Sequence, residues 1–281
     1  MIFRSLFILL VISGMSIHAA SSILVHGHRG ARAVRPENTL PAFEYAIQIG
    51  VDVLELDVAV TKDNVLVVSH DPQMNADYCT PPAGWTGTNV IREMTLEQLK
   101  QWDCGSKVNP KFPRQVAVPG TRVPTLDEVY ALAGRGKFEF NVETKIFAKY
   151  PQLTPEPEEF ARLMVEAIRR HKLEKRVMVQ SFDFRTLKAV KAIAPEIRLS
   201  ALFEPMGMRD VVKATVETGA RICSPHLFLV NRGMVERAHA AGLQVVPWTA
   251  NEPGEWKKLV EAGVDAIISD DPAALLAFLK R

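Results

Sequence analysis

The sequence predicts an α/β protein: a single (β/α)8 barrel, the TIM-barrel architecture, with an insertion after the second strand. Three observations predict it. Apolar runs of strand length alternate with helical stretches, giving eight strand–helix units in about 260 residues, the size of such a barrel. Acids, bases and amides collect where those strands end, which is where a closed parallel barrel carries its active site. No glycine-rich turn follows the first strand, which argues against an open dinucleotide-binding sheet.

The elements follow in order. Ile23–His26 forms the first strand, and Asn38 or Thr39 caps a helix over Leu40–Ile49 that Gly50 ends. Val53–Val60 is the second strand, and Val65–Ser69 extends or follows it across the Lys62-Asp63-Asn64 turn. Residues 72–124 break the rhythm with Pro, Gly, Trp and Asn, leaving one helical piece near Thr95–Trp102; a stretch this long without regular structure is usually functional. From Pro124 the alternation is regular: helix Leu126–Ala133, strand Lys137–Glu143, helix Glu156–His171, strand Val177–Ser181, helix Phe184–Ala194 and strand Arg198–Phe203. Helix Met208–Thr218, strand Arg221–Ser224, helix Arg232–Ala241, strand Gln244–Thr249, helix Glu255–Ala262, strand Ala266–Ser269 and helix Ala273–Leu279 complete it.

Composition narrows the class. The chain has 281 residues, 47% apolar and 23% charged, enough to bury a sizeable core. A net charge of +2 with no run of like charges gives no basis for nucleic-acid binding. Residues 1–22 have the layout of a secretory signal peptide. Met1–Arg4 carries a positive charge, Leu6–Ile12 is apolar but too short to span a bilayer, and Ser16–Ser22 is rich in small residues. Small residues at the two required positions allow cleavage after Ser21 or Ser22. The expectation is an exported protein, periplasmic or secreted, with no stable membrane insertion and a mature domain of residues 23–281. Cys79 and Cys104 share one irregular segment and could pair in an oxidising compartment, closing a loop of about 25 residues, while Cys223 ends a later strand.

The chemistry concentrates in residues 25–72. His28 and Arg29 stand where the first strand ends, and His70 ends a later apolar run. On the second strand, side-chain alternation sends Val53, Glu55 and Asp57 to one face and Leu54, Leu56 and Val58 to the other. Two carboxylates side by side on a buried strand repel each other unless a cation or proton offsets them. A hard divalent ion, Ca²⁺ or Mg²⁺, is the simplest occupant. Two imidazoles beside it would provide a general acid and a general base. Glu143 shares the inward face of the third strand with Asn141 and Lys145, and could bring a third oxygen ligand from across the barrel.

Four motifs in order carry a resemblance: His28-Arg29-Gly30, Pro36-Glu37-Asn38-Thr39, Glu55-Leu56-Asp57 and His70-Asp71. This stretch resembles the glycerophosphodiester phosphodiesterase family. The similarity extends through Asn141-Val142-Glu143-Thr144-Lys145, Gln180-Ser181-Phe182, Pro247 to Asn251 and Gly263 to Asp270, nearly the whole mature chain. The resemblance implies metal-dependent hydrolysis of a glycerophosphodiester to sn-glycerol 3-phosphate and an alcohol. It implies His28 and His70 as the acid–base pair, Glu55, Asp57 and Glu143 as metal ligands, and Arg29 and Lys145 as phosphate binders. Trp248 would pack on the carbon skeleton of the small-molecule substrate. The family's insertion lies over the barrel mouth and shapes the pocket, so residues 72–124 are expected to act as lid and specificity element, with Trp85 and Trp102 forming an apolar mouth. A His26-Gly27-His28 start is also how amidohydrolases begin a metal site, but their later ligands are missing after strands four and five, and Glu55 and Asp57 would go unexplained. A third possibility, a barrel that binds a phosphorylated ligand without turnover, would be marked by loss of a His or acid, and none is lost.

Overall fold

The computed structural model describes residues 23–206 and 210–281; the expected signal segment and the first residues of the helix expected from Met208 lie outside them. β1 (Leu24–Gly27) leads to α1 (Leu40–Ile49), and β2 (Val53–Val60) to the short β3 (Leu66–Val68). The insertion carries α2 (Leu96–Leu99). Then come α3 (Leu126–Tyr130), β4 (Glu139–Thr144), α4 (Pro157–Arg170), β5 (Val177–Ser181), α5 (Phe184–Ile193) and β6 (Arg198–Phe203). α6 (Val211–Thr218), β7 (Ile222–Pro225), α7 (Arg232–Ala240), β8 (Gln244–Val245), α8 (Pro253–Ala262), β9 (Ala266–Ser269) and α9 (Pro272–Phe278) follow.

Eight of these strands run parallel in the order β8-β7-β6-β5-β4-β2-β1-β9, a nearly closed barrel with helices between successive strands. The remaining seam is bridged by backbone bonds from Asp265 N to Val245 O (3.0 Å), Ile268 N to Pro247 O (3.0 Å) and Ala250 N to Ile268 O (3.1 Å). β8 is shorter than the expected strand over Gln244–Thr249 because Pro247 has no N–H to continue the ladder. β3 does not prolong β2. The chain reverses at Asn64 (φ 60°), and β3 pairs antiparallel with β2, Val58 opposite Val68.

Two apolar layers result from strand alternation. Leu54, Leu56 and Val58 join a core between barrel and helices with Val142, Val179, Ala201 and Ile267. Val53, Met178, Ile222, Val246, Ala266 and Ile268 fill the barrel interior. That inner plug lies below Glu55 and Asp57, with the buried His26 level with Val53, so the acids and cations of the cavity stand at the end where the strands finish. The helix expected over Leu126–Ala133 is α-helical only to Tyr130 and tightens into a 3₁₀ turn over Ala131–Arg135. Thr39 begins α1, but its hydroxyl donates to Pro36 O and caps no helix N–H; Asn38 turns instead toward Asp57.

The insertion folds onto the outside of the β2–β3 hairpin. Met74, Cys79, Ile91, Met94, Leu99, Trp102, Cys104 and Val123 form their own core against Ala59 and Val67. Cys79 and Cys104 are joined in a disulfide, while Cys223 is buried and free within β7. Trp102 is only 3% exposed and meets Trp85 edge-on at 6.1 Å, so the expected apolar mouth built by these two rings does not form; they pack inside the insertion. Among the described residues no helix is long and apolar enough to cross a membrane.

Candidate active site

The turn after β1 sets the geometry. Arg29 (φ 49°) and Gly30 (φ 85°) both adopt left-handed backbone, and a Cβ on Gly27 would lie 2.2 Å from Gly30 O. Only glycine allows that approach. The tight turn aims the Arg29 N–H at Glu55 Oε2 (2.9 Å) and leaves His28 over the strand ends. Asn38 (φ 56°), a residue that tolerates this region, donates its side-chain amide to Asp57 Oδ2 at 2.9 Å.

Glu55, Asp57 and Glu143 each offer an oxygen within 4.8 Å of the others, and all three are buried. β4 is the direct neighbour of β2, with Glu143 in register beside Asp57; the third acid therefore comes from the adjacent strand and not from across the barrel. Gln180 on β5 donates to Glu55 Oε1 at 2.7 Å. Lys145 Nζ lies 2.7 Å from Glu143 and 3.8 Å from Asp57, and Arg29 Nη1 lies 2.6 Å from Glu37.

Burial and the neighbouring Asp57 push the Glu55 pKa well above its ordinary value, and burial also raises that of Glu143 against the pull of Lys145. Asp57 moves the other way: burial opposes ionisation, but Arg29, His70 and Lys145 hold its carboxyl far below the usual range. Four carboxylates (Glu37, Glu55, Asp57, Glu143) face two fixed cations (Arg29, Lys145), leaving two negative charges if all ionise. One divalent cation balances that charge, and an all-oxygen donor set suits a hard ion. The cluster thus fits a divalent metal site.

Each expected histidine carries a carboxylate on Nδ1. His28 Nδ1 is 2.5 Å from Asp270 Oδ1, while its Nε2 is 3.8 Å from Glu55. His70 Nδ1 is 2.7 Å from Asp71 Oδ1. A carboxylate on Nδ1 leaves Nε2 as the working nitrogen and fixes ring orientation. Burial lowers the His28 pKa, with Asp270 opposing. Asp270 itself is held down to about 2; burial raises it, but His28 and Arg32 outweigh that, and Asn251 Nδ2 adds a hydrogen bond at 2.8 Å.

A cavity of about 600 Å³ opens over these groups. Its floor is polar, with His28, Arg29, Glu55, His70, Glu143 and Lys145, and one wall is apolar, with Ile146, Phe147, Phe182, Leu202 and Trp248. Trp248 is fixed by Nε1–H donating to Ser224 O at 3.0 Å and by edge contact with Phe182 at 5.4 Å. All eight residues singled out in the sequence gather here, Asp57 beneath the floor and the rest on the lining or in contact with it.

The expected lid does not form over the cavity. No residue of 72–124 lines the cavity; its rim after β4 is formed by Ile146 and Phe147. The insertion acts from behind: Asn109 donates to Glu37, Gln115 donates to Arg32 O, the Arg32 guanidinium stacks over Phe112 at 4.5 Å, and Arg114 pairs with Asp271 at 2.6 Å. His226 does not line the cavity either, but meets the Trp248 ring edge-on at 5.1 Å. His26 is a buried interior group near Asn141 (3.4 Å) whose pKa burial lowers to about 3. His171 and His239 pair with Asp127 and Asp265. Sequence reasoning noted Asp270 and Gln180 only as polar strand ends; their partners lie 242 and 125 residues away, so only their positions after the strands could have flagged them, whereas Asp71, given no role, has its partner in the adjacent His70.

Comparison with known proteins agrees with this geometry. Residues 28–274 match the glycerophosphoryl diester phosphodiesterase family. A glycerophosphodiester phosphodiesterase of Caldanaerobacter subterraneus is 33% identical over 259 residues, covering 92% of this chain and 98% of the relative. A solved structure from Silicibacter pomeroyi, assigned to the same enzymes, superposes with a TM-score of 0.86 at 30% identity, covering 92% of this chain and 94% of the other. An Oleispira antarctica phosphodiesterase solved with the product sn-glycerol-3-phosphate superposes with a TM-score of 0.76 at 25% identity, covering 92% and 97%. The chain belongs to the glycerophosphoryl diester phosphodiesterase family, and so to the phosphodiester hydrolases.

Proposed function

We propose that the chain hydrolyses glycerophosphodiesters to sn-glycerol 3-phosphate and an alcohol, using one divalent cation, Ca²⁺ or Mg²⁺, held by Glu55, Asp57 and Glu143. When bound, that cation supplies Lewis-acid stabilisation to the phosphoryl oxygens. Arg29 and Lys145 take the charge that builds on phosphate in the transition state. Arg29 lines the cavity while Asp57 (3.2 Å from Nε) and Glu37 (2.6 Å from Nη1) hold its guanidinium in place, which supports a fixed cation beside a phosphate oxygen. One of His28 and His70 accepts a proton of the attacking water through Nε2 as its oxygen bonds to phosphorus, and the other protonates the alkoxide whose bond to phosphorus breaks. Trp248 packs on the carbon skeleton.

The observation that carries this reading is the pairing of two Asp-oriented histidines with one three-carboxylate cluster on a single cavity floor. Export through residues 1–22, leaving a mature unit of residues 23–281, is part of the same proposal. The Cys79–Cys104 disulfide supports it, since such bonds persist in oxidising compartments.

The test follows glycerol 3-phosphate release from glycerophosphocholine and glycerophosphoglycerol, with EDTA, with Ca²⁺ or Mg²⁺ restored, and with His70→Ala. Release that needs the ion and is lost in the variant is expected. No release from either diester by folded, metal-loaded protein would sink the assignment.

A further inference from the structure

Four acids line the cavity among the described residues: Glu55, Glu143, Asp270 and Glu204. Three are already committed, Glu55 to Gln180 and Arg29 N, Glu143 to Lys145, and Asp270 to His28 and Asn251. Glu204 is exposed and has no hydrogen-bond or ion-pair partner among the described residues. It follows β6 directly, away from the metal-type cluster on β2 and β4.

Strand order turns this into a gradient across the mouth. β4, β5 and β6 are consecutive neighbours. Lys145 stands after β4, Phe182 after β5 and Glu204 after β6, so a buried cation held by Glu143, an aromatic ring and an exposed anion follow one another from the floor to the mouth. Two interstrand steps separate the ends, roughly 10 Å. Lys145 Nζ is 5.9 Å from the Phe182 ring centre, and Phe182 meets Trp248 at 5.4 Å on the same wall. Glu204 is also close enough to Trp248's neighbour His226 to oppose the lowering of its pKa by burial. An ammonium group is stabilised by aromatic faces and by a carboxylate together, and a neutral alcohol gains little from either.

Building on the hydrolase reading above, we propose that Glu204, with Phe182 and Trp248, forms a subsite for a cationic leaving alcohol, so that the preferred substrates are zwitterionic glycerophosphodiesters bearing an ammonium head group. The phosphate occupies the Lys145 end of the gradient and the ammonium the Glu204 end. Leu202 and Phe182 cover the short carbon link between them.

The experiment measures kcat/KM for glycerophosphocholine and for glycerophosphoglycerol, whose alcohol is uncharged, in the wild type, Glu204→Gln and Glu204→Lys. Choline and its uncharged isostere 3,3-dimethylbutanol are titrated into each protein by calorimetry. The choline-to-glycerol preference is expected to be about tenfold in the wild type, to approach one in Glu204→Gln and to invert in Glu204→Lys. A preference that stays the same in all three proteins overturns the subsite. If neither diester is hydrolysed by any of them, the hydrolase reading fails and the titration decides this one. Choline bound in preference to the isostere, and released by Glu204→Gln, sustains the cationic subsite; equal binding of the two ends it. Glu204 is solvent-exposed, so thermal melts of the variants are expected to match the wild type.

Discussion

Asp71 Oδ1 lies 2.7 Å from His70 Nδ1, and the other oxygen of the same carboxylate accepts from Asn75 Nδ2 (3.0 Å) and Tyr78 Oη (3.2 Å). The hydrogen bond from His70, then burial opposing it, then Asn75 set the Asp71 pKa, which ends far below its ordinary value. Asp71 therefore stays an anion and holds one His70 tautomer, as Asp270 does for His28. Asp71→Asn is expected to lower kcat by about a hundredfold with KM little changed, and His70→Ala by more. Tyr78→Phe removes only one support of the carboxylate and should cost the least. Steady-state kinetics on glycerophosphocholine give that order, and equal effects of all three would contradict it.

Metal binding has a readout that needs no turnover. An ion bound only by the folded state stabilises it, by about 2.7 kcal/mol at a hundred times its Kd. Ca²⁺ or Mg²⁺ added to EDTA-treated protein is expected to raise Tm, and Asp57→Asn to abolish the rise. Scanning calorimetry checks this, and a Tm indifferent to both ions would argue against the carboxylate cluster as their site.

The insertion should be acid-sensitive through Asp103. Its carboxylate accepts from Gly105 N, Ser106 N, Ser106 Oγ and Gly120 N. Burial opposes ionisation slightly, but these donors, Ser106 first, lower the pKa from 3.8 to about 2. A depressed folded pKa contributes stability above the unfolded value that is lost as pH falls through the folded one. The contribution is thus full above about pH 4 and gone below about 2. Melting curves across that window should fall less steeply for Asp103→Asn than for the wild type.

Replacing Cys79 and Cys104 with serine opens a loop spanning 25 positions. The chain-entropy model puts the loss at about 3 kcal/mol. Denaturant unfolding of the double variant should show it, and the active-site floor, built on β1, β2 and β4, should still turn over substrate at low temperature.

The barrel and its floor were legible because they rest on local patterns. Glu55 and Asp57 break an otherwise apolar strand at period two, and Val53 to Val58 sort into inner and outer layers as alternation demands. Glu143 was identifiable by the same alternation, but its place beside Asp57 depended on β4 pairing directly with β2, which alternation does not specify. Residues 72–124 failed differently. Trp85 and Trp102 suggested a wet apolar mouth, yet a disulfide and two methionines gave them a private core to fill. Asp270 was visible only as a polar strand end, since its bond to His28 joins the first strand to the last and forms only when the barrel closes.

The insertion touches the cavity floor only from behind, through Glu37, Arg32 and Asp271 and, by way of Asn75 and Tyr78, through Asp71, and lends nothing to the cavity wall. That separation divides the work of natural selection. Substitutions on the outer face of residues 72–124 can accumulate, lengthen or shorten the segment and retune its durability while head-group choice stays with the loops after β4, β5 and β6. Transplanting the whole segment from a relative should exchange robustness between the two enzymes and leave their appetites where they were.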